Sequence, residues 1–71
     1  MDEMVILNKV RGYRNQLGFT QEYMADLLNI TQSTYSSKEN GKTAFNQKEM
    51  RVILNKFKKY IPEISIEDLF F

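Results

Sequence analysis

From Gln32 to Glu39 the chain reads Gln-Ser-Thr-Tyr-Ser-Ser-Lys-Glu, and Tyr35 is the one apolar residue in the run. Nearly every other side chain there is a hydrogen-bond donor or acceptor. The Gln32 amide can pair bidentately with N6 and N7 of adenine, and the hydroxyls of Ser33, Ser36 and Ser37 can donate or accept at several base edges. Phosphates, in turn, are met by Lys or Arg and by backbone N–H groups at helix N-termini. This is the chemistry of recognition rather than of catalysis. The sequence has no histidine and no cysteine, and its carboxylates are scattered rather than paired, so no nucleophile–base arrangement suggests itself. Gly12, Gly18 and Gly41 are isolated, so there is no glycine-rich phosphate loop. Neither an enzyme nor a cofactor or metal site is expected.

These residues have to be placed by helices. Ile6, Val10, Tyr13 and Leu17 form one amphipathic stripe, predicting a first helix from about Asp2 to Leu17 that Gly18 closes. Thr20 is a good N-cap for a second helix running to Leu28, with Met24, Ala25 and Leu28 inward and Tyr23 and Leu27 beside or outside that face. Asn29-Ile30-Thr31 reads as a tight turn: Asn tolerates positive φ, Ile30 drops into the core and Thr31 caps the next helix. The third helix is Gln32 to about Glu39, closed by Gly41. Such a polar helix is not justified by burial, so Tyr35 tethers it and the remaining surface is offered to something polar. A plain solvated helix is the rival reading, but those usually carry Glu/Lys pairs. Asn40 to Phe45 is a loop. Asn46 and Glu49 make a capping box for a fourth helix whose buried face is Met50, Ile53, Leu54, Phe57 and Ile61, and Pro62 stops it. Ser65, with Asp68 in the box position, caps a last short turn from Ile66 to Leu69.

With 71 residues the chain suffices for one domain, 1–71, and its small core is held by packing without disulfide or thiolate metal. Five phenylalanines, four tyrosines and a 42% apolar content suit a folded domain. No apolar run is long enough for a bilayer, and the acidic Met1-Asp2-Glu3-Met4 start lacks the basic opening of a secretory signal, so a soluble, cytoplasmic protein is expected. The net charge of +1 is unevenly spread: residues 31–60 hold seven basic side chains (Lys38, Lys42, Lys48, Arg51, Lys56, Lys58, Lys59) against two acidic ones, a surplus that suits a polyanion.

A short helix, a tight turn and a polar second helix form the helix-turn-helix plan, and one α-helix fits the major groove of B-DNA. Thr20-Gln21, Met24-Ala25, Leu28, Ile30 to Ser36 and Glu39-Asn40-Gly41-Lys42 resemble the Cro/C1-type (Xre) helix-turn-helix repressors. The similarity spans about residues 7 to 71 and includes the closing Ser65 to Phe70. The resemblance implies an all-α, lambda-repressor-like domain: a compact bundle of four main helices plus a short C-terminal one, with the helix-turn-helix unit at about 20–40. It further implies that Gln21 binds a phosphate while bracing Gln32, and that Gln32, Ser33, Ser36 and Ser37 face the groove. Asn40, Lys42 and Thr43 match positions that meet backbone phosphates, and Arg14 and Glu39 match an internal ion pair. Two departures stand out. Asn29 replaces the usual glycine of the turn. Lys38 replaces a commonly apolar residue, so that end of the third helix is expected to be more exposed or to add a phosphate contact.

The expected function is sequence-specific binding of a double-stranded DNA operator as a transcriptional regulator, with repression the commonest consequence in this family. A homodimer is expected, through Ile64 to Phe71 or formed on DNA. The rival is a protein-binding module, such as an antitoxin or a small phage or plasmid protein, docking through Tyr23, Leu27, Phe70 and Phe71.

Overall fold

Residues 8–71 are described by a computed structural model, and among them the chain forms five helices: α1 (Val10–Leu17), α2 (Gln21–Leu28), α3 (Gln32–Glu39), α4 (Gln47–Lys58) and α5 (Ile66–Phe70). No strand occurs among the described residues. The boundaries are written in local chemistry. The side chains of Thr20, Thr31, Asn46 and Ser65 each accept the N–H three residues on, capping α2 to α5, and the boxes with Glu49 and Asp68 both close. At their C-termini, α1 and α2 end in the same way. Gly18 sits at φ 80° with Phe19 N–H donating to Arg14 O (3.1 Å), and Asn29 sits at φ 61° with Ile30 N–H donating to Ala25 O (3.0 Å). α5 extends one residue further than its expected end, to Phe70.

The first helix starts later than its apolar stripe predicts. Asn8 and Lys9 lie outside α1, and Ile6 falls outside the described residues. The cause is local. The Asn8 carboxamide accepts the Val10 N–H (3.0 Å) in an Asx turn, which competes with a continuing helix, and the Lys9 N–H is drawn to Leu69 O (2.8 Å). That second bond ties the start of α1 to α5.

One core joins the helices. Val10, Met24, Tyr35, Ile53, Phe57 and Leu69 are fully buried, and Ala25, Phe45 and Ile64 are nearly so. Each large side chain among them stabilises by about 1.5–3 kcal/mol through loss of apolar surface to water. Of the residues expected inside, Leu28, Ile30, Met50, Leu54 and Ile61 pack on this core while staying partly open. Phe45 and Ile64 enter the core from connecting segments, where no helical period marks them. Phe45 lies between the rings of Tyr35 (5.9 Å) and Phe70 (5.7 Å), clamping the loop after α3 between that helix and α5. No helix among the described residues is long and apolar enough to cross a membrane.

Candidate nucleic-acid interface

α3 is held from behind by one buried carboxylate. Glu39, 6% exposed, ends α3, and four side chains from three helices converge on it. Arg14 donates from Nε to Oε2 (2.7 Å) and from Nη2 to Oε1 (3.2 Å). The Tyr35 hydroxyl donates to Oε2 (2.7 Å), and the Gln21 amide to Oε1 (3.0 Å). Arg11 Nε reaches Oε1 at 3.5 Å. Arg14 also donates from Nη1 to Phe19 O (2.8 Å), so its guanidinium is spent on α1, the α1–α2 turn and α3 together. A charge this deep is tolerable only when paired and saturated with hydrogen bonds, and no buried side-chain polar atom among the described residues lacks a partner.

The electrostatics agree with that wiring. Burial pushes the Glu39 carboxyl up, but hydrogen bonds from Arg14, Tyr35 and Gln21 outweigh it and hold the group below its ordinary value. Glu39, by its hydrogen bond and its charge, raises Arg14 further. Burial, then the bond to Glu39, pushes the Tyr35 hydroxyl well above the usual phenol range, so it remains a donor.

With its inner side anchored at Tyr35 and Glu39, α3 turns a different face outward. Gln32 and Ser33 are exposed, and Ser36 and Ser37 are half-buried one turn further along. Thr34 is exposed as well, its hydroxyl taken by Thr31 (2.9 Å). Asn40, Lys42 and Thr43 follow with exposed side chains. The backbone N–H groups of Lys42 and Thr43 both donate to Ser37 O (2.9 and 3.4 Å), which folds the loop back on the helix and leaves only their side chains for a ligand.

Two expectations for this region change. Gln21 does not brace Gln32 here: its amide N–H is on Glu39, because an ionised carboxylate is a stronger acceptor than a neutral amide. Lys38 is neither more exposed nor directed toward a phosphate. Its side chain is 15% exposed, with Nζ on Glu49 Oε1 (3.0 Å) and Ala44 O (3.0 Å). Glu49 is buried and needs a counter-charge, so the lysine in an apolar position links α3 to the start of α4.

The basic surplus of residues 31–60 is correspondingly divided. Lys42 stands beside α3, Lys38 is consumed at Glu49, and Lys56 lies over the Tyr23 ring (5.4 Å to its centroid). The apolar patch expected from Tyr23, Leu27, Phe70 and Phe71 is divided too. Tyr23 packs against Phe19 with its ring tilted (4.8 Å), and Phe19 in turn meets Tyr60 (5.6 Å) near the end of α4. Leu27 lines a groove with Lys48 and Val52, Phe70 packs on Phe45, and Phe71 lies by Met50 and Arg51 at the start of α4.

Sequence reading passed over two contributors. Asn8 donates to Lys38 O (3.1 Å), and more weakly to Glu39 O (3.5 Å), satisfying carbonyls at the end of α3. Arg11, besides its contact with Glu39, donates from Nη2 to Asn40 Oδ1. Their partners lie about thirty positions away, so no local pattern marks them; a helical projection placing Arg11 three residues before Arg14 on one face of α1 is the available clue.

Among the described residues no group of acidic side chains is arranged to hold a metal ion. No curated protein and no solved structure matches the chain significantly. A family model described as helix-turn-helix matches residues 10–64, which takes in α1 to α4 and Ile64. The chain belongs to the Cro/C1-type helix-turn-helix family, whose members are DNA-binding regulators.

Proposed function

We propose that the protein is a sequence-specific double-stranded DNA-binding regulator of transcription, acting in the cytoplasm as a repressor and laying α3 in the major groove. The observation that carries this reading is the pairing of an exposed stripe of amides and hydroxyls with a buried anchor behind it. Gln32 and Ser33 are open to solvent on a helix whose Glu39, bonded to Tyr35 within the same helix, is locked to α1 and α2. A rigid helix presenting uncommitted donors and acceptors suits base edges, since base readout requires fixed geometry. In this reading Gln32 and Ser33 meet bases directly, Ser36 and Ser37 approach them from deeper in the helix, and Gln21, Asn40, Lys42 and Thr43 meet phosphates. Arg14 and Glu39 are structural. A single copy makes few phosphate contacts, so two protomers bind half-sites about 34 Å apart.

The test is selection of binders from a random duplex library, followed by a salt titration of the winner and sedimentation with it. The expected result is a palindrome with half-sites about one turn apart, steep salt dependence and two protomers per site. No enrichment, with feeble binding only at low salt, would overturn the reading and direct attention to a protein partner at the Tyr23–Tyr60 aromatic surface.

A further inference from the structure

Arg11 is the cation that the anchor does not need. Both Glu39 oxygens already receive two shorter hydrogen bonds each, Oε2 from Arg14 and Tyr35 and Oε1 from Arg14 and Gln21, whereas the Arg11 contact is the longest at 3.5 Å. Charge neutrality is met by Arg14, which is 11% exposed; the Arg11 side chain is 58% exposed. A guanidinium has five N–H donors, and Arg11 commits Nε to Glu39 and one Nη2 hydrogen to Asn40, with no further hydrogen-bond partner among the described residues. Its contact with Asn40 has a second consequence. An arginine can pair only with the oxygen end of a carboxamide, so Arg11 fixes which way Asn40 is turned. With Oδ1 on Arg11, the Asn40 NH2 end is left on the α3 side, where it has a long contact (3.4 Å) with Ser36 Oγ.

We infer that Arg11 is a further DNA-backbone contact, which grips a phosphate with its free N–H groups and orients the Asn40 amide as a donor to the same strand. This rests on the DNA-binding reading above and extends its phosphate-contacting edge from the loop after α3 onto α1. The reach is that of a planar fork, which suits a phosphate better than a point charge does. The role is separate from that of Arg14, whose side chain is only 11% exposed and whose Nε, Nη1 and Nη2 are all engaged at Glu39 and Phe19.

The experiment is a salt titration of the wild-type protein, Arg11→Gln, Arg11→Lys and Lys42→Ala on its selected duplex and on random duplex, with thermal melting of each protein. Arg11→Gln keeps an amide donor for Asn40 and removes the charge. Its expected effect is a salt slope smaller by about 0.9, equivalent to a roughly threefold weaker loss of affinity between about 50 and 200 mM salt. Affinity for selected and random duplex falls in parallel and melting is unchanged. Arg11→Lys restores the slope. For the orienting role the cycle uses Arg11→Ala, which leaves no donor for the Asn40 oxygen: combined with Asn40→Ala it costs less than the product of the two single losses, since the pair acts as one unit. An unchanged slope for Arg11→Gln beside a reduced one for Lys42→Ala overturns this inference and leaves the DNA-binding reading intact. A melting loss that accounts for the weaker binding overturns it as well, and fully multiplicative losses with Asn40→Ala overturn the orienting role. Absence of duplex binding by the wild-type protein overturns both readings.

Discussion

Glu39 shows how one buried side chain sets the behaviour of an exposed surface. Truncating it leaves Arg14, Tyr35 and Gln21 without their common acceptor. Breaking a buried ion pair in this way costs about 3–5 kcal/mol, so Glu39→Ala is expected to lose that much in urea unfolding. The pH dependence has a definite sign. Because the folded carboxyl lies below its unfolded value, its contribution is full above the ordinary glutamate range and is lost as pH falls through the folded value. The wild-type urea midpoint should therefore decline below about pH 4, and Glu39→Gln should flatten much of that decline. Asp68, held low by the backbone N–H and hydroxyl of Ser65, remains in both proteins and accounts for a residual slope. An identical acid decline in the two proteins would remove Glu39 from the account. On the outer side of the same helix, Gln32→Ala is expected to cost about 1–3 kcal/mol on the selected duplex and to relax choice at one base pair. Lys42→Ala should weaken all duplexes alike; competition against random DNA separates the two, and an equal loss for Gln32→Ala on both would deny it a base-reading role.

Among the elements, the α2–α3 turn decides where α3 points. Its central feature is Asn29 at φ 61°, the one non-glycine residue with positive φ among the described residues. A residue without Cβ relaxes that conformation, whereas a β-branched one is strained there. Asn29→Gly should be neutral or slightly stabilising, and Asn29→Val should destabilise by about 1–3 kcal/mol. Denaturant midpoints check both; equal midpoints for the two variants would show that the turn tolerates other geometries. The cap of α4 is a smaller matter of the same kind, since its box joins Asn46 to Glu49, and Glu49 in turn holds Lys38 on α3. Helix capping and helix packing are here one network.

At the scale of the molecule, a chain this short has few large side chains to spare. Phe57 is fully buried and also meets Phe19, which leads to the Tyr23 and Tyr60 rings. Phe57→Ala should cost about 3–5 kcal/mol, a large part of the 5–15 kcal/mol typical of a whole domain. Thermal melting is expected to show a loss of cooperative unfolding near physiological temperature, while Phe57→Leu retains it. A small shift for the alanine variant would mean that the core is held elsewhere.

Much of this architecture is legible in the order of residues because its causes are local. The caps at Thr20, Thr31, Asn46 and Ser65, the left-handed closures at Gly18 and Asn29, and the apolar period of α4 each depend on side chains within a few positions of one another. The exposed polar face of α3 follows from its composition by the same reasoning. What tertiary structure alone decided lies in partners distant along the chain. Lys9 is drawn out of α1 by Leu69, Phe45 and Ile64 enter the core from loops, and Gln21 goes to Glu39 rather than Gln32. Lys38 is drawn to Glu49, and Arg11 is set beside Asn40. A charge or an amide takes the strongest acceptor within reach, and which acceptor is within reach is determined only when the helices pack.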